Sequence, residues 1–260
     1  MSSEFGSLLK ISVFGQSHGR AIGVVVDGLP AGEAIHLEEL NAFLARRKPG
    51  KSPLSTARRE ADAPVFLSGL ENGVTCGAPL CAVIENGDQH SSDYDALRDK
   101  PRPGHADYTA YAKYHGFQDA RGGGHFSGRV TAALVAGGAI VLSALHRAGI
   151  DITTHIAECA GIADTRFAQD DAAQLSAQVE ALASKPEGFA VLDETVEEPM
   201  KAAIRAAGAD GDSVGGMLET AILGLPAGIG EPYFDSVESE IAHLVFSVPA
   251  VKGIEFGTGF

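Results

Sequence analysis

The chain has 260 residues, of which 45% are hydrophobic and 21% charged, and its formal net charge is −14. That length buries a substantial core in one large domain or two small ones, and the acidic balance argues against a nucleic-acid binder. No apolar run is expected to reach the ~18–20 residues of a membrane span, and the opening MSSEFGSLLKISVFG does not read as a signal peptide. Cys76, Cys81 and Cys159 are odd in number and lack metal-finger spacing, so a reduced, cytoplasmic setting is expected. The charge is unevenly spread. Residues 1–130 hold 14 Lys+Arg against 15 Asp+Glu, residues 131–260 hold 6 against 19, and six of the nine histidines lie in the first half. An acidic protein that gathers its cations in one region is suited to handling a small anion there.

In chain order, Leu8–Phe14 is β-rich and predicts a strand, and Ala21–Asp27 predicts a second. Between them GQSHG (15–19) is a glycine-bounded turn, so the pair predicts a hairpin with Ser17 and His18 at its tip. A histidine between glycines on a loop is either polar-bonded and half-exposed or chemical, and the second reading is preferred. Leu37, Leu40, Phe43 and Leu44 give 37–47 the spacing of an amphipathic helix. Glu38 and Glu39 at its start and Arg46, Arg47 and Lys48 at its end suit the helix dipole. Lys51, Arg58 and Arg59 extend the basic run into a Pro/Gly/Ser-rich loop that helix capping does not require. Val65–Leu67 and Cys81–Ile84 predict short strands, and Tyr108–Tyr114 a short helix. Val130–Leu145 is apolar nearly all round and predicts a buried helix. Gly137 and Gly138 inside it cost propensity, and close packing is expected to compensate. Further on, Asp151–Ile162 and Val214–Leu223 predict strands. Ala168–Ser184, Glu197–Ala207 and Val237–Val245 predict helices, and Val251–Phe256 starts another strand.

An internal echo links SHGRAIGVVVDGLPAG (17–32) to SVGGMLETAILGLPAG (213–228), a constant offset of 196 residues. An amphipathic helix follows each copy, and Val214 stands where His18 stands in the first. The inferred fold is α+β: a β-α-β sandwich of two largely antiparallel sheets enclosing a helical layer that contains 130–145. The chain is read as a single domain, 1–260, with pseudo-repeat halves near 8–150 and 151–260. No G-x-G-x-x-G follows a strand, so no dinucleotide fingerprint is present.

The segment 101–129, PRPGHADYTAYAKYHGFQDARGGGHFSGR, concentrates Arg102, His105, Lys113, Arg121, His125 and Arg129 around Gly122, Gly123 and Gly124. Ser127 then supplies an N-cap for the apolar helix. A flexible backbone feeding a helix N-terminus suits anion binding, and arginines suit phosphate and carboxylate. A solvated basic loop before a core helix accounts for the same residues. The patches Ser17/His18, Arg46–Lys51 with Arg58, Arg102/His105 and Arg121–Arg129 are expected to converge into a cationic pocket. Its two histidines are the natural acid–base groups. No H-x-x-x-H or H-E-x-x-H supports a metal site, and GQSHG is not a nucleophile elbow.

At these residues the sequence resembles the chorismate synthase family. The matching runs are FGQSHGRAIGVVVDGLPAG (14–32), RRKPGKS (46–52), RREAD (58–62), SGLENGVTCGAPL (68–80), PRPGHADYTAYAKYHG (101–116), RGGGHFSGR (121–129), GDSVGG (211–216) and GLPAGIGEPYFDS (224–236). They cover nearly the whole chain in order. The resemblance implies a lyase that converts 5-enolpyruvylshikimate 3-phosphate to chorismate and phosphate by anti-1,4-elimination, on the shared route to aromatic amino acids. It implies a reduced FMN cofactor with no net redox change, and a homotetramer. The substrate's two carboxylates and phosphate, and the flavin's phosphate, suit an arginine- and histidine-rich cleft.

By the same resemblance, His18 assists the departing phosphate with Ser17 beside it, and His105 hydrogen-bonds the flavin. Arg47, Arg102 and Arg129 are substrate-anion ligands. His125, Phe126 and Ser127 contact FMN, and Arg47 also matches a position linked to NADPH in members that reduce their own flavin. Departures are His125 and Phe126 where Arg and Ser are usual, and Pro53 where many members carry arginine. Family members normally continue beyond position 260 with a Lys-Pro run and an Arg-His-Asp-Pro segment. A partial form with weak FMN binding and very low turnover is therefore expected, a non-catalytic anion- or flavin-binding remnant being the alternative.

Overall fold

The structure, a computed structural model, describes residues 3–48, 50, 54, 60–87, 100–185 and 188–259. The chain divides into two units: residues 1–49, 58–144 and 227–260, and residues 50–57 and 145–226.

The first unit is built on β1 (Glu4–Phe5), β2 (Lys10–Gly15), β3 (Ala21–Asp27), β4 (Pro64–Ser68) and β7 (Leu80–Glu85). They form an antiparallel sheet in the order β1-β2-β3-β7-β4. The short pair β5 (Leu70–Glu71) and β6 (Val74–Thr75) stands apart from it. β3 and β7 are apolar nearly throughout, and side chains of one parity share a face. Ile22, Val24 and Val26 lie opposite Ile84, Ala82 and Leu80, and all six are buried. Helix α1 (Leu37–Arg47) adds Leu40 and Leu44 to this core, one turn apart. Its first turn carries Glu38 and Glu39 and its last Arg46 and Arg47, as the dipole favours. Helix α2 (Asp107–Tyr114) is short, with Ala110 buried.

Helix α3 (Thr131–Arg147) brings Ala132, Ala133, Ala136 and Ile140 into the same cluster. With its preceding turn it runs for 20 residues, Gly128–Arg147, at a mean hydropathy of 1.7, which is long and apolar enough to cross a membrane by length and composition. That corrects the expectation that no apolar run reaches such a length. The segment grows at both ends: a 3-10 turn at Gly128–Val130 precedes the helix, which then continues through His146 and Arg147. In this fold its buried residues pack with β3 and β7, as a core helix does. The compensation expected for two glycines applies to one. A Cβ on Gly137 would lie 2.6 Å from Ile11 Cδ1 and 3.2 Å from Val24 Cγ2, whereas Gly138 is exposed with nothing near.

The second unit contains β8 (Asp151–Cys159), β9 (Ile162–Ala163), α4 (Ala172–Ala183), α5 (Glu197–Ala209) and β10 (Gly216–Leu223). Its sheet is antiparallel in the order β10-β8-β9, and its core joins Cys159, Val191 and Met200. His155 is fully buried there, with Nδ1 2.9 Å from Asp164 and Nε2 2.9 Å from Glu219. Helix α6 (Val237–Val245) returns to the first unit and is capped by Ser236, whose hydroxyl accepts from Ser239 N–H.

The α+β class with antiparallel sheets is thus observed. The predicted strand at 251–256 is not: those residues join no β-ladder among the described residues. β-rich composition marks an extended stretch, but a strand exists only where a partner completes the ladder. The two GLPAG segments share one backbone form. Gly28 and Gly32 have φ of 88° and 94°, and Gly224 and Gly228 have 76° and 92°. A Cβ on Gly28 would overlap the Leu8 carbonyl, and one on Gly224 the Gly149 carbonyl, each just before the partner strand. The lead-in differs, since β2 precedes β3 whereas α5 precedes β10.

The glycine contrast in α3 gives a stability test. Gly138→Ala should stabilise the protein by about 1 kcal/mol through helix propensity. Gly137→Ala should gain nothing, because its methyl must displace Ile11 in a packed core. Thermal unfolding of the two variants should order them with Gly138→Ala above wild type and Gly137→Ala at or below it.

Candidate active site

Asp107, the first residue of α2, organises one side of the site. Its carboxylate accepts from the Arg102 backbone N–H (2.9 Å), from Arg102 Nε (2.8 Å) and Nη2 (2.9 Å), and from His105 Nδ1 (2.9 Å). The Arg102 hydrogen bonds hold this carboxyl well below the usual carboxylate range, against the opposing effect of burial, and the neighbouring Arg102 and His105 charges add to them. Because the carboxylate only accepts, His105 Nδ1 carries the proton in this contact, and Nε2 is turned toward Gly123.

The glycine run is the second component. Gly122, Gly123 and Gly124 have φ of 61°, 101° and 55°, three left-handed residues in succession, a geometry that side-chain-bearing residues rarely sustain. A Cβ on Gly122 would overlap the His18 ring, and one on Gly123 the His105 ring. The two histidines, from separate loops, therefore rest on consecutive residues of one backbone. The run was expected to offer flexible, free N–H groups. Of its three N–H groups, Gly124 N–H is committed, donating to the Arg121 carbonyl at 2.9 Å, and just beyond the run Phe126 N–H donates to the Gly123 carbonyl at 3.0 Å. What the missing Cβ atoms supply is close approach. Ser17 N–H donates to the Gly124 carbonyl (3.1 Å), and its hydroxyl lies 3.0 Å from His18 Nδ1 and 3.4 Å from the Arg121 carbonyl. Ser17 and His18 are both buried. The hairpin tip is covered by the glycine run rather than presented to solvent. Ser127 caps as predicted, accepting from Arg129 N–H at 3.2 Å. Beside this run, hydrogen bonds from Arg121 lower the Asp119 carboxyl, again against burial.

A third component is a buried ion cluster. Asp62 has φ of 49°, unusual for a residue with a side chain, and its carboxylate accepts from Arg47 Nη1 at 3.0 Å and from Arg129 Nη1. Arg129 also donates through Nε to Asn86 Oδ1 at 3.0 Å and through Nη2 to the Glu85 carbonyl at 3.4 Å, with Glu60 3.9 Å away. Its side chain is 4% exposed.

Two cavities border Arg102, His105, Gly123 and residues 125–127, and neither is lined by Ser17, His18, Arg47 or Arg129. One of about 280 Å³ is lined by Arg102, His105, Tyr108, Tyr111, Gly123 and Phe126. The other, about 400 Å³, takes His125, Phe126 and Ser127 along with Phe5, Leu134 and His243. Phe126 borders both. His125 is locked, with Nδ1 2.8 Å from the Gly15 carbonyl and Nε2 2.8 Å from Ser3 Oγ. The structure therefore brings His18 and His105 together at the glycines and Arg47 and Arg129 together at Asp62. It divides the expected flavin contacts between the two cavities. Lys51, Pro53, Arg58 and Arg59 lie outside the described residues. Sequence reasoning missed Asp107, Asp62 and Asn86. The H-A-D spacing, which sets a carboxylate two residues after His105, could have disclosed the first, and the acid ending RREAD the second. Asn86 follows a strand and offered no signal.

The sequence pattern of the family described as chorismate synthase matches residues 9–260. Relatives named chorismate synthase include one from Dehalococcoides mccartyi, 44% identical over all of this chain and 69% of its own length. Another, from Chitinophaga pinensis, is 45% identical over 99% of this chain and 67% of its own. A third, from Pyrococcus abyssi, is 44% identical over 98% of this chain and 68% of its own. A solved structure titled "Crystal Structure of Chorismate Synthase" shares the fold, with a TM-score of 0.72 and 24% identity over 98% of this chain and 69% of that one. With two imidazoles seated on one glycine run and a match that spans nearly the whole sequence, the chain belongs to the chorismate synthase family.

Proposed function

We propose that these side chains carry the family's lyase reaction, in which 5-enolpyruvylshikimate 3-phosphate loses phosphate and a ring proton to give chorismate. The observation that supports this most directly is the seating of His18 and His105 on Gly122 and Gly123. The allylic C–O bond breaks with its electron pair leaving on phosphate. His18 gives that oxygen a proton or a hydrogen bond. Ser17 Oγ donates to the Arg121 carbonyl and so accepts from His18 Nδ1–H, so the donor to the phosphate is Nε2–H of the doubly protonated imidazolium, which becomes neutral when it gives its proton. Arg102, held in place by Asp107 and lining the smaller cavity, takes an anionic group of the substrate. Arg47 takes another. Arg129, whose Nε, Nη1 and Nη2 all donate to protein acceptors, contributes its buried charge to the same anions.

The family implies a reduced flavin, and we take it to be FMN. The residues fit such a group. Tyr108, Tyr111 and Phe126 give the smaller cavity aromatic walls, and Arg102 and His105 supply a cation and a hydrogen-bonding nitrogen. His105 Nε2 would hold its ring, with Phe126 as a further contact, while His125 and Ser127 line the other cavity. When bound, reduced flavin supplies electron density as the C–O bond breaks and regains it as the C–H bond is lost, leaving no net redox change. NADPH as its reductant at Arg47, a homotetramer and a cytoplasmic setting follow the family resemblance. The matching GLPAG turns support the two pseudo-repeat halves.

Phosphate release and chorismate formation, followed anaerobically with reduced and with oxidised FMN, test this. Product should form with reduced FMN alone, and His18→Ala and His105→Ala should each slow it by about 10²–10⁴-fold. His105→Ala should also weaken reduced-FMN binding. Unchanged turnover in both variants overturns the assignment. The sign for Asp107 is also fixed. Its folded-state pKa is depressed, so it contributes stability above its unfolded value of about 3.9 and loses it as pH falls below that. Asp107→Asn should therefore be less stable than wild type at neutral pH, and denaturant unfolding should show the gap closing as pH is taken below about 4.

A further inference from the structure

We propose that Asn86 is a positioning residue for His18, joining the turn that carries this histidine to the buried Arg129–Asp62 pair. The inference rests on the role given to His18 above. Asn86 directly follows the last residue of β7, where Glu85 pairs with Ala21 at the start of β3. Its backbone N–H donates to the Arg20 carbonyl at 3.1 Å. This places its side chain beside the turn between β2 and β3. The amide Nδ2 donates to both Gln16 O (3.0 Å) and Gly19 O (2.8 Å), the carbonyls that flank Ser17 and His18. Its Oδ1 accepts from Arg129 Nε at 3.0 Å. One amide thus uses two donors on the histidine's turn and its acceptor on the arginine.

The anchor is rigid. Arg129 is buried and also donates to Asp62 and to the Glu85 carbonyl. Asp62 is itself buried, with Arg47 as its second guanidinium partner. A continuous chain therefore runs from Arg47 through Asp62, Arg129 and Asn86 to the backbone on either side of His18. Within the turn, Gly19 N–H donates to Gln16 O at 3.1 Å and Ser17 Oγ lies 3.0 Å from His18 Nδ1. Contacts with the glycine run seat the His18 ring, and Asn86 adds two bonds to the backbone on either side of it; misplacement of about 1 Å costs on the order of 10²-fold in rate. Amide chemistry is required here. A carboxylate could still accept from Arg129, but it would face two carbonyl oxygens with no proton to give.

Asn86→Asp separates the two contacts, because it keeps the Arg129 partner and removes both donors to the turn. It should lower kcat by about 10–100-fold with the thermal midpoint largely kept. In a His18→Ala background the same change should cost less than about threefold, since neighbouring residues acting through one group are not additive. A parallel readout needs no turnover. The His18 ring resonance, assigned by its loss in His18→Asn, should shift in Asn86→Asp while that of His155 stays in place. An undiminished Asn86→Asp penalty in the His18→Ala background, or an unmoved His18 resonance, overturns the proposal. If His18→Ala alone leaves kcat unchanged, the catalytic assignment of His18 fails instead, and the resonance shift still decides whether Asn86 holds that ring.

Discussion

Close approach without a Cβ is the constraint on which the site depends. Gly122, Gly123 and Gly124 hold three successive left-handed conformations, and methyl groups on the first two would occupy the space of the His18 and His105 rings. Left-handed backbone costs an ordinary residue roughly 1–2 kcal/mol per position, so any replacement would meet both a conformational penalty and an overlap. Glycine is therefore required by the two imidazoles as much as by the turn. The histidines come from a β-hairpin and from the turn before α2, and the shared backbone is what makes one site of them.

Around that seat, nearly every cation is matched by a carboxylate. Asp107 holds Arg102, Asp119 holds Arg121, and Asp62 holds both Arg47 and Arg129. The first 130 residues are close to neutral, with 14 basic against 15 acidic side chains. Such pairing lowers the bare positive potential but orders the guanidinium planes. Long, flexible cations lose side-chain entropy of up to about 2 kcal/mol each when fixed. Here much of that ordering is complete before any anion arrives. The trade is weaker long-range attraction for better local geometry.

Much of this was legible in the sequence where the signal is local. The β-rich run of β3, the spacing of Leu40 and Leu44 in α1, the limits of α6 and the GLPAG turns were all readable because each rests on neighbours within a few residues. The hairpin that carries Ser17 and His18 was readable too. What was not readable is which side chain meets which across the chain. Arg129 finds Asp62 at a separation of 67 residues, Asn86 finds Gln16 at 70, and His125 finds Gly15 at 110. No periodicity reports such pairings. The extended stretch at 251–256 failed for a related reason, because composition can mark a strand but cannot provide its neighbour.

Those distant pairings also change what the motif residues mean. From the sequence, Arg129 is one more arginine available to an anion, yet the fold buries it and commits its donors to Asp62, Asn86 and the Glu85 carbonyl. A buried guanidinium of this kind acts over distance, since its charge is less screened than one in water, and it also orders the atoms it touches. Asp62 accepts the strain of a left-handed backbone to reach two arginines at once. A residue held in a disfavoured conformation persists only where its surroundings over-determine it, and here the over-determining contacts are the arginines themselves. The site is therefore not a set of independent ligands converging on a cavity. It is a connected polar network in which the groups suited to touching substrate are held by groups that are not.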